Sequence, residues 1–214
     1  MQFSEQSLKT RVLRLVRSEQ LVLSLLAVLI GVAAAYGSIG FRELIDLIQA
    51  AGFASVGGSL VSAVSGLPWW QIVLVPALGG LVVGLLVHYI QAGARPHGVA
   101  DVMEAGVLHG GRIPFKEGVV AALGAIVSIG SGESVGREGS AVHIGASLAA
   151  WVGQQLNLSR SLLLTLLGCG VAAAVAASFN APIAGAFFAL EVVIGHYALS
   201  AFAPVVIASV AGTI

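Results

Sequence analysis

The sequence predicts an all-α membrane protein built of tilted and partly broken transmembrane helices, and three observations predict it. Charged residues make up 9% of the 214 residues and mean hydropathy is +0.98, against roughly 25% charged in a soluble domain. Residues 20–41 carry no charge, and a bilayer span takes about 20 apolar residues. From Arg95 onward the apolar stretches are short and interrupted by Gly and Pro. That is the pattern of half-helices meeting at a midplane binding site. A receptor or simple anchor would show uniform spans.

Residues 1–19 read as a short amphipathic helix at the cytoplasmic surface. Leu8, Val12, Leu15 and Val16 fall at helical spacing, with Lys9, Arg11, Arg14 and Arg17 between them. The four cations precede the first span, so the N-terminus is placed in the cytoplasm, and no cleavable signal peptide is evident. Residues 20–214 form the membrane domain. Arg42, Glu43 and Asp46 follow the first span and mark polar, extracellular surroundings. Residues 51–67, rich in Gly, Ser and Ala, read as a loop or a loosely helical continuation.

A second span covers roughly residues 70–92 and contains Gly80 and Gly84, a small-xxx-small pair that lets helices approach closely. Residues 98–110 carry Asp101 and Glu104, and residues 118–129 are apolar but short for a crossing. Residues 139–159 are uncharged except for the titratable His143, with Gln154 and Gln155 near their end. Residues 161–190 are divided at Ser178-Phe179-Asn180-Ala181-Pro182. Pro182 disfavours helix at Ala181 and suits the first turn of a new one. Residues 203–214 begin a last apolar helix, which the sequence cuts short.

Composition excludes several classes. Net charge is zero and no basic cluster is dense, so no nucleic-acid partner is expected. The single cysteine, Cys169, lies in an apolar run and reads as a packing residue. His88, His97, His109, His143 and His196 are scattered, so no metal site is expected, and no cofactor is implied.

The chemistry concentrates in Gly130-Ser131-Gly132-Glu133-Ser134-Val135-Gly136-Arg137-Glu138-Gly139-Ser140. Three ionisable residues sit there between two uncharged apolar segments. Charges near membrane depth are costly and usually mark an ion or proton path. A glycine-rich break that opens a helix offers an anion N–H donors and the positive end of a helix dipole. A carboxylate there competes with an anion for the same donors, which makes it a protonatable gate. Glu191 either caps a helix near the cytoplasmic surface or relays protons. The same stretch holds Gly132-Glu133-Ser134-Val135-Gly136, the G-x-S-x-G of a nucleophile elbow. The second reading is therefore a membrane-embedded serine hydrolase using Ser134, which needs a strand, a sharp turn and a helix. Transport is the first reading, and it is not an enzymatic one.

Two motifs carry a resemblance to the CLC chloride channel and proton/chloride exchanger family. The stretch from Gly130 to Gly139 resembles its GxSxGREGP motif, and Phe179-Asn180-Ala181-Pro182-Ile183-Ala184-Gly185 resembles its FNAPxAG motif. The resemblance covers the chain as the N-terminal half of that fold. It implies one half of an inverted repeat of broken helices, in a homodimer with one pore per subunit, and a plasma (inner) membrane location. It implies that Glu138 is the gating glutamate, with N–H groups around Gly136, Arg137, Gly139 and Ser140 facing a chloride or similar anion. The family's first anion motif falls at Pro96-His97-Gly98-Val99-Ala100, where only Gly98 matches and His97 and Ala100 replace a serine and a proline. Ser140 replaces the proline of GREGP, and Val192 stands at the proton-relay glutamate of many exchangers, beside Glu191. On this reading a C-terminal half is missing and must come from a continuation or a second polypeptide.

Overall fold

A computed structural model describes the backbone of residues 2–53, 65–90 and 98–213, with side chains from Gln20 onward. His97 and residues 54–64 of the expected loop lie outside the described residues, as do the side chains of the N-terminal amphipathic segment. All the described elements are helices: α1 Gln2–Phe53, α2 Trp69–Ile90, α3 Val99–Val107, α4 Phe115–Gly130, α5 Glu138–Gln155, α6 Arg160–Phe179, α7 Pro182–Phe188 and α8 Leu199–Ala211. A π-helical turn, Ala189–Ile194, extends α7. The segments Gln20–Phe53, Trp69–Ile90 and Arg160–Phe179 are long and apolar enough to cross a membrane.

α1 departs from its expected bounds twice. It passes residue 19 without a break, and it continues beyond residue 41 to Phe53. The continuation has a physical reason. Phe41, Ile45 and Ile48 recur at helical spacing and pack with Ile126 of α4, while Arg42, Glu43 and Asp46 occupy the exposed side. Polar residues there mark one face of a helix rather than its end. The last helix also closes earlier than expected, at Ala211, where the Gly212 N–H bonds to Ala208 O at 2.9 Å.

Glycine contacts fix the helix directions. Gly130 lies against Ile48, Gly52 against Val75, Gly79 against Ser131 and Gly124 near Val83, so α4 runs parallel to α1 and α2 runs antiparallel to both. Gly118 of α4 meets Ser147 of α5, and Gly153 of α5 meets Leu163 of α6. α5 therefore descends and α6 ascends. α8 ascends beside α6, with Gly168 near Val205 and Gly212 near Ala173.

α6 is the central helix, because it buries every residue from Leu166 to Ala176. Its sequence Gly168-Cys169-Gly170-Val171-Ala172-Ala173-Ala174 has little side-chain bulk, which lets neighbours approach backbone to backbone. Cys169 is a buried member of this core. The approach is closest to reciprocal at Gly145 of α5 and Gly170 of α6. A Cβ on either would collide with the other's carbonyl oxygen.

α6 stops where the sequence indicates. Asn180 adopts the left-handed conformation at φ 52°, and Pro182 opens α7 with its fixed φ. The Ser209 hydroxyl donates to Pro182 O at 2.5 Å, tying α8 to that break.

Gly170→Val inserts three carbons into this crossing. We expect it to destabilise the protein by about 3 kcal/mol or to prevent folding, read as a lowered thermal midpoint or loss of the monodisperse species in detergent. Ala173→Gly, which adds no bulk, should leave a folded species.

Candidate functional site

The break between α4 and α5 is shaped by its own hydrogen bonds. The Ser131 hydroxyl donates to Ser128 O at 3.0 Å, and the Glu133 N–H bonds back to Ser128 O at 2.9 Å. Gly136 has φ +71°, a left-handed conformation that costs roughly 1–2 kcal/mol for a residue with a Cβ. The turn at Gly136 delivers the chain to Arg137, the N-cap of α5, which makes no side-chain capping bond.

The first hydrogen bond of α5 runs from Ala141 N–H to Arg137 O at 3.1 Å. The N–H groups of Glu138, Gly139 and Ser140 precede it and have no intrahelical acceptor. Glu138 is exposed, and its Oε2 lies 3.4 Å from where a Cβ on Gly136 would sit. The carboxylate is therefore turned back over the start of its own helix. Gly139 faces Gly98: a Cβ on Gly139 would lie 3.8 Å from Gly98 Cα. The starts of α3 and α5 meet there, so both dipoles present their positive ends to one place.

The two helix starts are not equivalent. The Gly98 N–H donates to Asp101 Oδ2 at 2.7 Å, so at α3 a carboxylate already takes the donor that the sequence assigns to an anion. Gly136, Arg137, Gly139 and Ser140 gather at the α5 start, with Gly139 and Ser140 half-buried and Gly136 and Arg137 exposed.

Arg42 is a site component that sequence reading missed. Its Nη2 donates to Ala177 O at 3.4 Å and to Ser178 O at 2.8 Å, capping the negative end of α6. Arg42, Arg137, Ala141 and Ser178 line one small pocket, which brings two guanidinium groups near the α5 start. No sequence signal marks a contact between positions so far apart. Asp101 was legible in principle, because an acidic residue three places after a helix N-cap is a capping pattern.

Ser134 is exposed in the loop after α4. The element before it is a helix, and no strand occurs among the described residues, so the strand–turn–helix frame of a nucleophile elbow is not there. Glu191 is exposed in the π-helical turn and accepts a hydrogen bond from the Tyr197 hydroxyl at 3.4 Å. Partial loss of solvent and the Glu191 carboxylate push the Tyr197 phenol above its ordinary value. Val192 packs against the apolar core.

Broken helices that aim their N-terminal ends at one point define a class of membrane proteins that handle ions. The chain belongs to the voltage-gated chloride channel family: residues 79–214 match the family's model. It is 35% identical over 188 residues to the voltage-gated ClC-type chloride channel ClcB of Escherichia coli, covering 87% of this chain and 44% of that protein. Its fold matches the crystal structure of a CLC-type fluoride/proton antiporter with a TM-score of 0.71 and 29% identity, over 90% of this chain and 45% of that one. A eukaryotic CLC transporter shares the fold with a TM-score of 0.72 at 22% identity, covering 90% of this chain and 37% of the other. The chain thus spans somewhat under half the length of these relatives.

Arg42→Ala removes the cap on α6. A loss of about 1–2 kcal/mol is expected, measured as a lower thermal midpoint in detergent. Arg42→Lys should recover only part of it, since an ammonium cannot bond two carbonyls as a planar fork does.

Proposed function

We propose that the protein moves chloride or a similar anion across a membrane, with the Glu138 carboxylate as its gate. The observation that carries this reading is Glu138 itself. It is an exposed carboxylate, folded over a helix start whose first N–H groups have no intrahelical acceptor, beside a second helix start at Gly98. Ionised, the carboxylate occupies the place an anion would take. Protonated, it loses its attraction for the helix start, and an anion replaces it at the N–H groups of Gly136, Arg137, Gly139 and Ser140. Arg42 and Arg137 raise the local concentration of anions. The family, and the chloride channel and fluoride/proton antiporter among its relatives, support a halide as the cargo.

Several parts of the reading concern the whole protein. Lys9, Arg11, Arg14 and Arg17 place the N-terminus in the cytoplasm, with residues 1–19 at the bilayer surface and residues 20–214 in the inner membrane. The exposed Glu138 is closed off by a second half of similar length, and the complete protein pairs as a homodimer. Gly98 contributes its helix end rather than its N–H. His97 lies in the same stretch of sequence as Gly98, at the anion-facing position of the family motif. Glu191 is left as a weak proton carrier, because Val192 beside it is apolar.

Glu138→Gln mimics the protonated gate and Glu138→Ala removes it. Both should abolish the pH dependence of anion flux in liposomes carrying the intact protein, and a wild-type pH profile in Glu138→Gln would overturn the gate.

Proton coupling through Glu191 should be weak. Glu191→Gln should leave the reversal potential under a proton gradient unchanged within error, and a shift toward the anion equilibrium potential would show that Glu191 carries protons.

A further inference from the structure

Two turns meet at the end of the bundle far from Glu138. The α3–α4 turn lies on the start of α6, just past the end of α5 at Gln155, which is about 25 Å along that helix from Glu138. Gly110 and Gly111 have φ +62° and +83°, and this backbone brings the turn onto α6. A Cβ on Gly110 would lie 3.2 Å from Arg160 Cγ and Nε, and one on Gly111 would lie 3.4 Å from Leu163 Cγ. The Arg160 Nη2 donates to Val107 O at 3.2 Å. That bond holds the guanidinium in place and uses one of its five N–H donors.

The two turns enclose a cavity of about 240 Å³, lined by His109, Arg112 and Arg160 together with Leu158 and Leu163. Among the described residues that line it, none is acidic. A larger cavity of about 660 Å³ lies between α3, α4 and α5, with His143 in its wall. It shares His109 and Arg112 but carries Asp101, Glu104 and Glu117. Those carboxylates repel an anion, so the attraction for one is concentrated in the smaller cavity. The start of α6 adds the positive end of its dipole there.

The surroundings of the smaller cavity are apolar. Val107 and Leu108 are each 69% exposed beside it, and Leu156 is exposed on the α5–α6 turn. At the same end of the bundle Phe115, the first residue of α4, meets Trp151, one turn before the end of α5. Their ring centroids are 5.4 Å apart and both are exposed. Exposed tryptophan at a helix end sits at the headgroup level of a bilayer. Cations, exposed leucines and an aromatic pair thus share one level.

We propose that this cavity binds the phosphate of an anionic phospholipid in the cytoplasmic leaflet, held by Arg112 and Arg160, with the acyl chains beside Val107, Leu108 and Leu156. Basic pockets between membrane helices on the cytoplasmic side select anionic headgroups, and a guanidinium matches phosphate oxygens two at a time. Pockets that enclose a whole nucleotide-sized molecule measure about 300–1,000 Å³. This one is smaller and takes a single headgroup, leaving the rest of the molecule outside. The leaflet follows from the cytoplasmic N-terminus of the reading above: α4 starts on that side, and α5 ends there. The inference rests on that orientation and not on which anion is carried or how Glu138 moves.

Native mass spectrometry of the intact protein tests it, with dioleoyl-phosphatidylglycerol as the probe and dioleoyl-phosphatidylcholine as the zwitterionic control. Phosphatidylglycerol should bind at least tenfold more tightly than phosphatidylcholine, and Arg112→Gln should weaken it about fivefold. Arg160 also caps α3, so Arg160→Lys, which keeps the charge, is measured beside Arg160→Gln and should retain more of the affinity. Lys116→Gln removes a nearby exposed cation outside the cavity and should change binding less than twofold. Equal affinity for the two lipids, or an equal loss in Lys116→Gln and Arg112→Gln, overturns the site. Inorganic phosphate at the same concentration should not displace the lipid. Displacement would assign the cavity to a soluble phosphate and overturn the lipid. Gln155→Cys should react with a membrane-impermeant maleimide in inside-out vesicles and not in intact cells. The reverse would overturn the leaflet. Glu138→Gln should leave the phosphatidylglycerol affinity unchanged, so failure of the gate and failure of this site are read separately.

Discussion

α5 and α6 meet backbone to backbone at Gly145 and Gly170, and the position of the site follows from that contact. In lipid the hydrophobic effect does not press helices together, so close packing and satisfied polar groups must do so. A glycine on each helix removes the side chains that would hold the axes apart. Seven positions before Gly145 is Glu138, about 10 Å up the helix, so the crossing sets where the Glu138 carboxylate lies. The other end of α6 is fixed by the Arg42 guanidinium on its last carbonyls. One helix pair, pinned at its middle and at one end, thus determines where the helix starts point.

Those helix starts illustrate how similar dipoles are used differently. At α3 the Asp101 carboxylate is three residues into the helix and bonded to Gly98 N–H. It is locked by local geometry and stabilises its helix permanently. At α5 the carboxylate belongs to the first helical residue, and Arg137 makes no capping bond. Glu138 is held by the field of the helix rather than by a local hydrogen-bonded ring.

The same economy of backbone shows at the breaks. Asn180 and Pro182 end one helix and begin another within three residues, and Ser209 ties the second to α8. Glu191 and Tyr197 satisfy each other at the exposed turn beyond. Val192 beside them packs against the apolar core. A cavity of about 660 Å³ lies beside α3 and α4, where side chains are charged.

Much of this was legible in the sequence by itself. Low charge and uncharged stretches determined a helical membrane protein, because backbone in lipid must bond within its own segment. The second span and the break at Pro182 followed from local chemistry, and the motif around Glu138 marked the candidate gate. Only the tertiary structure decided the rest. α1 continues past Phe41 because Ile126 of α4 offers its stripe a partner. Arg42 reached Ser178 across 136 positions, and Gly145 found Gly170, through no pattern local to either. The cavity around His143 gathers residues from 101 to 154 of the chain. Local sequence sets the conformation of each segment. Which segments share a surface is set by packing, which depends on all of them at once.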